Sequence, residues 1–225
     1  MLVPQDLHPW RVTPAHAVRI QRQLAARVRP QPLGLPIRFV AGVDCAFTRD
    51  KSRCLSAAVV WDLVDRRVLE QATASRRLHF PYIPGLLSFR EAPAALSALR
   101  RLRHTVDALM CDAHGMSHPR RFGLACHLGL ICTIPSLGCA KSRLIGSHRT
   151  PGSRRGARTA LRDRSERVGT VLRTRDGVRP VFVSVGHLID LPTAERLVLR
   201  AGEGYRLPEP TRLADRLVGE FKKES

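Results

Sequence analysis

The sequence has 225 residues, a hydrophobic content of 44%, and 38 basic against 19 acidic side chains. This composition excludes a disordered chain, and the length predicts one globular domain, or at most two small ones. The formal net charge of +19 favours a polyanionic partner, of which nucleic acid is the commonest. Only 4 of the basic residues are Lys. A general preference for arginine would explain that choice, but not the excess over acids.

The six cysteines, at positions 45, 54, 111, 126, 132 and 139, form no Cys-x-x-Cys pair and no zinc-type spacing with histidines. We therefore expect a reduced cytoplasmic protein without a structural metal cluster. The first residues lack the basic-then-apolar layout of a signal peptide. His127 and Pro135 interrupt the apolar stretch from Gly123 to Ala140, which favours a helix followed by a strand over a membrane span.

The first third of the chain predicts one helix and three strands. Apolar positions at helical spacing indicate a helix over Ala15–Val28, and prolines at 30, 32 and 36 end it. The segment Ile37–Phe47 predicts a buried strand that carries Asp44, a lone carboxylate whose burial calls for a metal or a cationic partner. Cys54–Asp62 and Arg67–Ser75 predict two more strands, and their short links indicate an antiparallel meander.

A proline-bracketed loop follows the meander. Because proline fixes φ, the run Phe80–Gly85 should be stiff and should present Tyr82 and Ile83 outwards. Ser88 is then the expected N-cap of a helix that runs to about residue 103. Glu91 stands in the capping-box position of that helix, which is an ordinary structural role for this carboxylate.

The apolar run Val106–Met110 predicts a short buried strand, and Asp112 falls at its carboxyl end. A carboxylate at that place, followed by a turn, is typical of ligand sites in open α/β sheets. His114, His118 and two arginines follow within a few residues. The ordinary alternative is an aspartate that makes a turn, with two histidines on the surface.

The rest of the chain alternates helices, strands and one basic stretch. Residues Ser142–Arg167 are rich in Arg, Ser and Gly and predict a basic flexible segment, a partly ordered flap rather than a linker. The regular elements expected around it are a helix Phe122–Leu130, strands Ile131–Cys139, Val168–Arg173 and Pro180–Val185, and helices Thr193–Ala201 and Thr211–Phe221.

A three-strand meander, a helix and a parallel strand make up the element order of the ribonuclease-H-like fold, which can bring Asp44, Glu91 and Asp112 together on divalent metal ions. Hard oxygen ligands of this kind suit Mg²⁺. At this point the sequence closely resembles the endonuclease V family. The matching pieces, in chain order, are Ala41–Asp44, Pro81–Gly85, Leu87–Glu91, Asp112–Arg121, Gly138–Lys141, Gly186–His187 and Tyr205–Thr211.

The resemblance implies a fold and an activity. The fold is a single α/β domain over residues 1–225, a ribonuclease-H-like mixed sheet with an antiparallel meander and parallel strands, flanked by helices and preceded by an N-terminal helix and proline-rich lead-in (1–36). The activity is a Mg²⁺-dependent endonuclease, with Mn²⁺ able to substitute, that recognises inosine and cleaves the second phosphodiester bond on its 3′ side. Bacterial members act mainly on deoxyinosine in DNA, and some animal members prefer inosine in RNA. We expect a monomeric repair enzyme without a membrane partner.

The same resemblance assigns roles to the polar residues. Asp44 and Asp112 match metal ligands, and Glu91 matches a third carboxylate that holds the ion or its water. Lys141 is suited to stabilising the anionic transition state, and His118 to proton transfer or to orienting phosphate and water. One further position, Asp215, matches a place near the metal where the family varies between His and Asp.

The stiff loop resembles the family's wedge, which fills the gap left when inosine is rotated out of the stack. Extrusion of a base costs a few kcal/mol, and an aromatic face that restacks its neighbours contributes about 1–3 kcal/mol. The wedge residues are Pro81, Tyr82, Ile83 and Pro84. The family holds hypoxanthine largely through backbone groups, which here lie near Gly85, Leu87, Gly115 and Gly138.

Ala113 departs from the family pattern, which has glycine directly after the strand-end aspartate. A methyl group there could narrow the pocket or disfavour a positive φ. Metal binding should survive, whereas the strength of the inosine preference is open. Three rival functions remain: the same chemistry directed at inosine in RNA, a lesion-binding protein without cleavage, and a generic basic DNA-binding domain. The last leaves Asp44 unexplained.

Overall fold

The structure of the protein is a computed structural model, which describes residues 5–34 and 36–224. Within those ranges the chain forms five helices and eight strands. In chain order they are α1 (Pro14–Ala25), β1 (Phe39–Phe47), β2 (Arg53–Asp62), β3 (Arg67–Arg77), α2 (Ser88–Leu99), β4 (Ala108–Cys111), α3 (Leu124–Cys132), β5 (Ser136–Ala140), β6 (Arg158–Asp163), β7 (Glu166–Leu172), β8 (Val181–His187), α4 (Leu191–Arg200) and α5 (Glu209–Lys223).

All eight strands belong to one mixed sheet, in the order β3-β2-β1-β4-β5-β8-β7-β6. Strands β1, β2 and β3 form the antiparallel meander that the short links predict. Strands β4 and β5 run parallel to β1, and the remaining pairs are antiparallel. The predicted mixed α/β architecture is therefore confirmed.

Helices cover both faces of the sheet. On one face α2 and α3 pack against alternate residues of the central strands, such as Ala41 and Val43 in β1. On the other face α4 packs against the intervening residues, such as Val40 and Met110, while α5 packs against β2. Alternate residues of a strand face opposite sides of the sheet. A strand that is covered on both sides therefore has a continuous run of apolar residues in its sequence. This explains why the sequence of β1 is apolar without alternation.

Strand register places the strand-end carboxylates side by side. In the parallel pair β1 and β4, Val43 is opposite Cys111, so the next residues, Asp44 and Asp112, leave the sheet as neighbours. Helix α5 crosses β1 at very short distance, directly over Gly42. A Cβ on Gly42 would lie 1.9 Å from the carbonyl oxygen of Pro210, so only glycine allows this approach.

Two local predictions were wrong. The N-cap of α2 is Leu87 rather than Ser88, because the turn at Leu86 continues directly into the helix. The hydroxyl of Ser88 is buried without a hydrogen-bond partner, and Glu91 is not part of a capping box. The stretch 142–167 contains strand β6, which pairs with β7 and was not predicted. Several other boundaries differ from the predictions by a few residues.

The six cysteines are all free. Helices long and apolar enough to cross a bilayer do not occur in the part of the chain that the structure describes.

Candidate active site

Three carboxylates from distant parts of the chain meet at the carboxyl ends of β1 and β4. One oxygen each of Asp44, Asp112 and Asp215 lies within 4.8 Å of the other two. Asp215 reaches the cluster from the second turn of α5, which the close contact with Gly42 brings onto β1. Hard carboxylate oxygens at such spacing are the donors that a divalent cation prefers, so the residues present fit a metal ion. Glu91 is not a member of this group.

Lys141 supplies the cation of the site. Its Nζ lies 2.6 Å from Oδ2 of Asp112 and 3.1 Å from Oδ1 of Asp215. Lys141 follows β5 directly, and Arg206 holds its carbonyl oxygen through a 2.5 Å hydrogen bond from Nη2. Burial opposes the charge of Lys141, but the hydrogen bonds and ion pairs with both aspartates outweigh it and raise the pKa of the ammonium group.

Burial and mutual repulsion make the carboxylates hard to ionise in the absence of a metal. Burial, followed by the charge of Asp112, raises the pKa of Asp44 to about 8. The same two causes raise the pKa of Glu91 to about 8. Burial also raises the pKa of Asp112, although Lys141 opposes the shift. Strong shifts produced by desolvation and like charge are typical of functional sites.

The cluster lies in a cleft of about 490 Å³ between the wedge loop and α5. The predicted site residues that line it are Asp44, Tyr82, Ile83, Pro84, Gly85, Leu87, Glu91, Asp112, Ala113, His118, Lys141 and Asp215. Pro81, Gly115 and Gly138 are not among the lining residues. Gly138 lies beneath the cleft, where a Cβ would be 2.4 Å from the carbonyl oxygen of Ala113.

The wedge loop presents one side chain fully and another only in part. Tyr82 is 69% exposed, as the two prolines predict. Ile83 is half-buried, packs against an apolar cluster that includes residues of α1 and α2, and also lines the cleft, so it faces outwards only in part. The guanidinium of Arg90 lies 5.9 Å from the ring centroid of Tyr82 and 4.8 Å from that of Phe47. The exposed face available for stacking is therefore that of Tyr82.

Both ring nitrogens of His118 are engaged by the protein. Nε2 lies 2.9 Å from the carbonyl oxygen of Gly85, and Nδ1 accepts a 3.2 Å hydrogen bond from the backbone N–H of Arg120. Burial lowers the pKa of His118 to about 4, so the ring is neutral near pH 7. The second histidine of this stretch, His114, also lines the cleft, and burial lowers its pKa to about 4.

Several residues at or beside the cleft were not singled out from the sequence. Ser142 and Leu144 line it beyond Lys141. Gln21 contacts the wedge loop from α1 and is 1% exposed. A polar residue among the buried positions of an amphipathic helix is the signal that could have drawn attention to Gln21, because a buried amide requires partners.

Comparisons with known proteins agree with this site and fold. A family model described as Endonuclease V matches residues 21–216. The Endonuclease V of Roseiflexus castenholzii (strain DSM 13941 / HLO8) is 51% identical over 217 residues, which cover 96% of this chain and 97% of the relative. The crystal structure of Endonuclease V from Streptomyces avermitilis has a TM-score of 0.91 at 42% identity, covering 96% of this chain and 95% of that one.

A more distant structure shows the same fold with nucleic acid bound. It is Endonuclease V of Ciona intestinalis in complex with a 24mer DNA containing an inosine followed by a ribo-adenosine. Its TM-score is 0.79 at 23% identity, covering 94% of this chain and 98% of that one. From the family model and the close relatives, the chain belongs to the endonuclease V family, whose members are nucleases that act on phosphodiester bonds.

Proposed function

We propose that this protein is a Mg²⁺-dependent endonuclease that recognises inosine and cleaves the second phosphodiester bond on its 3′ side. The observation that carries the proposal is the cluster of Asp44, Asp112 and Asp215 beside Lys141, in a cleft whose rim carries the exposed Tyr82. Family membership supplies the reaction class, and the inosine in the Ciona complex supports the substrate.

Asp44, Asp112 and Asp215 would hold the metal ion, and Glu91, which lines the same cleft, would help to hold the ion or its water. A bound Mg²⁺ would activate water and neutralise negative charge on the phosphate. The chain's own contribution is to gather these carboxylates in one place. Mn²⁺ should substitute, since it accepts the same oxygen donors.

Lys141 stabilises negative charge at the phosphate. Its ammonium group lies against the carboxylates, at the edge of the place where a phosphate must approach them. A preorganised cation at such a position is worth most in the transition state, when charge on the phosphoryl oxygens has to be balanced.

Tyr82 would restack the bases beside the extruded nucleotide. An exposed aromatic face suits every base equally, so selectivity has to come from the backbone groups of the pocket around Gly85, Leu87 and Ala113. The positive charge and the free cysteines suit a monomeric repair enzyme in the reducing cytoplasm.

DNA containing deoxyinosine is the proposed substrate, and inosine in RNA is the alternative. Matched labelled strands should carry inosine in DNA, inosine in RNA, inosine followed by one ribonucleotide, or no inosine. We expect the inosine-containing DNA to be cut at the second bond 3′ to the lesion, only with divalent metal. Equal cutting of the inosine-free strand would overturn the proposal. Binding without cutting in Mg²⁺ or Mn²⁺ would identify a lesion-binding protein instead.

A further inference from the structure

The carbonyl oxygen of Gly85, at the end of the wedge loop, is a meeting point for three side-chain donors. Nε2 of Gln21 lies 3.0 Å from it, Nε2 of His118 lies 2.9 Å from it, and Nη2 of Arg120 lies 2.6 Å from it. A carbonyl oxygen has two lone pairs, so three donors saturate it. These donors come from α1 and from the loop after β4, two parts of the chain that are far apart in sequence.

The donors also hold one another. Nε of Arg120 donates to Oε1 of Gln21 at 2.5 Å, and the same Gln21 donates from Nε2 to the carbonyl oxygen of Phe122 at 3.3 Å. The backbone N–H of Arg120 donates to Nδ1 of His118, which leaves the ring hydrogen on Nε2, facing Gly85. Each polar atom therefore has one orientation that satisfies its neighbours. Buried networks in which every member is satisfied are rigid.

Gly85 transmits this rigidity to the wedge. Its φ of +77° is a left-handed conformation, and a Cβ there would lie 2.8 Å from Nη2 of Arg120. The next N–H, of Leu86, donates back to the carbonyl oxygen of Ile83 at 2.9 Å. The peptide plane between Gly85 and Leu86 is thus fixed on both sides. That plane joins the exposed wedge residues to the first turn of α2, which carries Glu91.

We propose that Gln21, Arg120 and His118 are positioning residues that clamp the Gly85 carbonyl and thereby set the selectivity of the wedge loop for inosine. The proposal rests on the proposed function and deepens it, because it names the residues that hold the wedge loop in place. His118 acts in this network through the loop, and both of its ring nitrogens are occupied by that task. The low pKa that burial gives His118 fits this role, because the neutral ring keeps one donor and one acceptor.

Gln21 offers the sharpest variants because a neighbour provides a matched control. In Gln21→Glu the side chain keeps its size and its acceptor for Arg120, but it has no hydrogen to donate to Gly85. Gln21→Met keeps the length and removes both roles. Gln23 lies on the same helix with an exposed side chain, so Gln23→Met makes the same chemical change away from the loop. Arg120→Lys is the second site, because one ammonium group cannot replace the fork that reaches both Gln21 and Gly85.

The experiment compares kcat/KM on inosine-containing and inosine-free strands in Mg²⁺. We expect the ratio of the two values to fall about tenfold in Gln21→Glu, Gln21→Met and Arg120→Lys, the loss that one or two hydrogen bonds would cause. Gln23→Met should keep the wild-type ratio. Amide hydrogen exchange of residues 82–87 should be faster in the three test variants than in the wild type and the control.

Melting temperatures separate this role from simple stabilisation of the fold. A lower melting temperature with an unchanged ratio and unchanged exchange would overturn the clamp while leaving the proposed function intact. A wild-type enzyme without preference for inosine would overturn the proposed function, and the clamp with it. If a Gln21 variant fails to fold, Arg120→Lys gives the same two readouts, and an unchanged ratio there contradicts the proposal.

Discussion

The ammonium nitrogen of Lys141 lies 2.6 Å from Oδ2 of Asp112, inside the group of carboxylates that fits a divalent ion. The lysine and a bound metal ion therefore attract the same oxygens while repelling each other. Lys141→Met should bind Mg²⁺ more tightly than the wild type and yet cleave at least ~100-fold more slowly, because it lacks the cation that balances phosphate charge.

Isothermal titration and single-turnover kinetics measure the two effects of Lys141→Met separately. Lys222→Met, in the last turn of α5, is the control for loss of one lysine charge. Weaker Mg²⁺ binding in Lys141→Met would mean that the lysine helps to assemble the carboxylates rather than competing with the ion.

Asp44→Asn should abolish cleavage and stabilise the metal-free protein. The substitution removes a proposed metal ligand, and it also removes a carboxyl group whose burial beside Asp112 makes ionisation costly. We expect the free energy of unfolding in EDTA to rise by on the order of 1 kcal/mol, while binding to inosine-containing strands is retained. Chemical denaturation and a nicking assay test both parts, with the exposed Asp6→Asn as control. Near-normal nicking by Asp44→Asn would contradict the metal-site assignment.

The raised pKa values predict that the stability of the metal-free protein falls with rising pH, whereas its affinity for Mg²⁺ rises. In the unfolded chain these carboxyl groups ionise near pH 4, whereas Asp44 and Glu91 in the folded protein have pKa values of about 8. Folding then takes up protons, so this contribution to stability is present at acidic pH and is lost as pH rises towards about 8. Metal binding needs the ionised forms, so Mg²⁺ affinity should rise over the same range.

Thermal melts in EDTA and in saturating Mg²⁺, from about pH 6 to pH 9, test this linkage. The melting temperature in EDTA should fall with rising pH, and Mg²⁺ should reduce or reverse the fall. If the melting temperature changed with pH in the same way in EDTA and in Mg²⁺, neither carboxyl group would titrate in this pH range.

The basic stretch before β7 should supply part of the salt-dependent binding to undamaged duplex. Arg149 and Arg162 line a shallow groove there and have no carboxylate partner among the described residues. Replacing both by Ala should reduce the slope of log K against log salt by roughly 0.9 for each phosphate that the variant no longer neutralises. The cut position should not change. The paired control is Arg103→Ala with Arg196→Ala, and equal slopes in both double variants would make the groove an ordinary solvated surface.

Ala113→Gly tests the one departure from the family pattern. Ala113 does not have a positive φ, so glycine is not required there for backbone reasons, but the residue lines the cleft. Removing the methyl should improve discrimination in favour of inosine by on the order of 1 kcal/mol. Competition between inosine-containing and inosine-free strands measures this gain, with Ala160→Gly in β6 as control. Unchanged selectivity would mean that the methyl serves the apolar core, against which it also packs.

The sequence predicted the central sheet well because its strands are buried on both faces. The run that contains Asp44 is apolar apart from that residue, and the meander has short links. Strand β6 was missed for the opposite reason: it buries only Leu161 fully and otherwise reads as a polar, arginine-rich stretch. Its strand pairing depends on β7, which the sequence of β6 alone does not reveal.

Local signals also gave the wrong start for α2 and left Gln21 unnoticed. Ser88 followed by Glu91 resembles a capping box, but hydrogen bonds from the preceding turn start the helix one residue earlier. The role of Gln21 depends on where Gly85 and Arg120 lie in space, and neither is near it in sequence. The meeting of Asp44 and Asp112 was predictable from the sequence, although the structure groups Asp215 rather than Glu91 with these two aspartates.

The docking of α5 against Gly42 decides whether the carboxylates that fit a metal ion are together. The group of three carboxylates exists only while α5 is docked, because Asp215 lies on that helix and Asp44 and Asp112 lie at the ends of strands. A molecule whose α5 had detached would keep most of its basic side chains, but only two of the three carboxylates that fit a metal ion. We therefore expect detachment of α5 to abolish cleavage while leaving much of the affinity for nucleic acid.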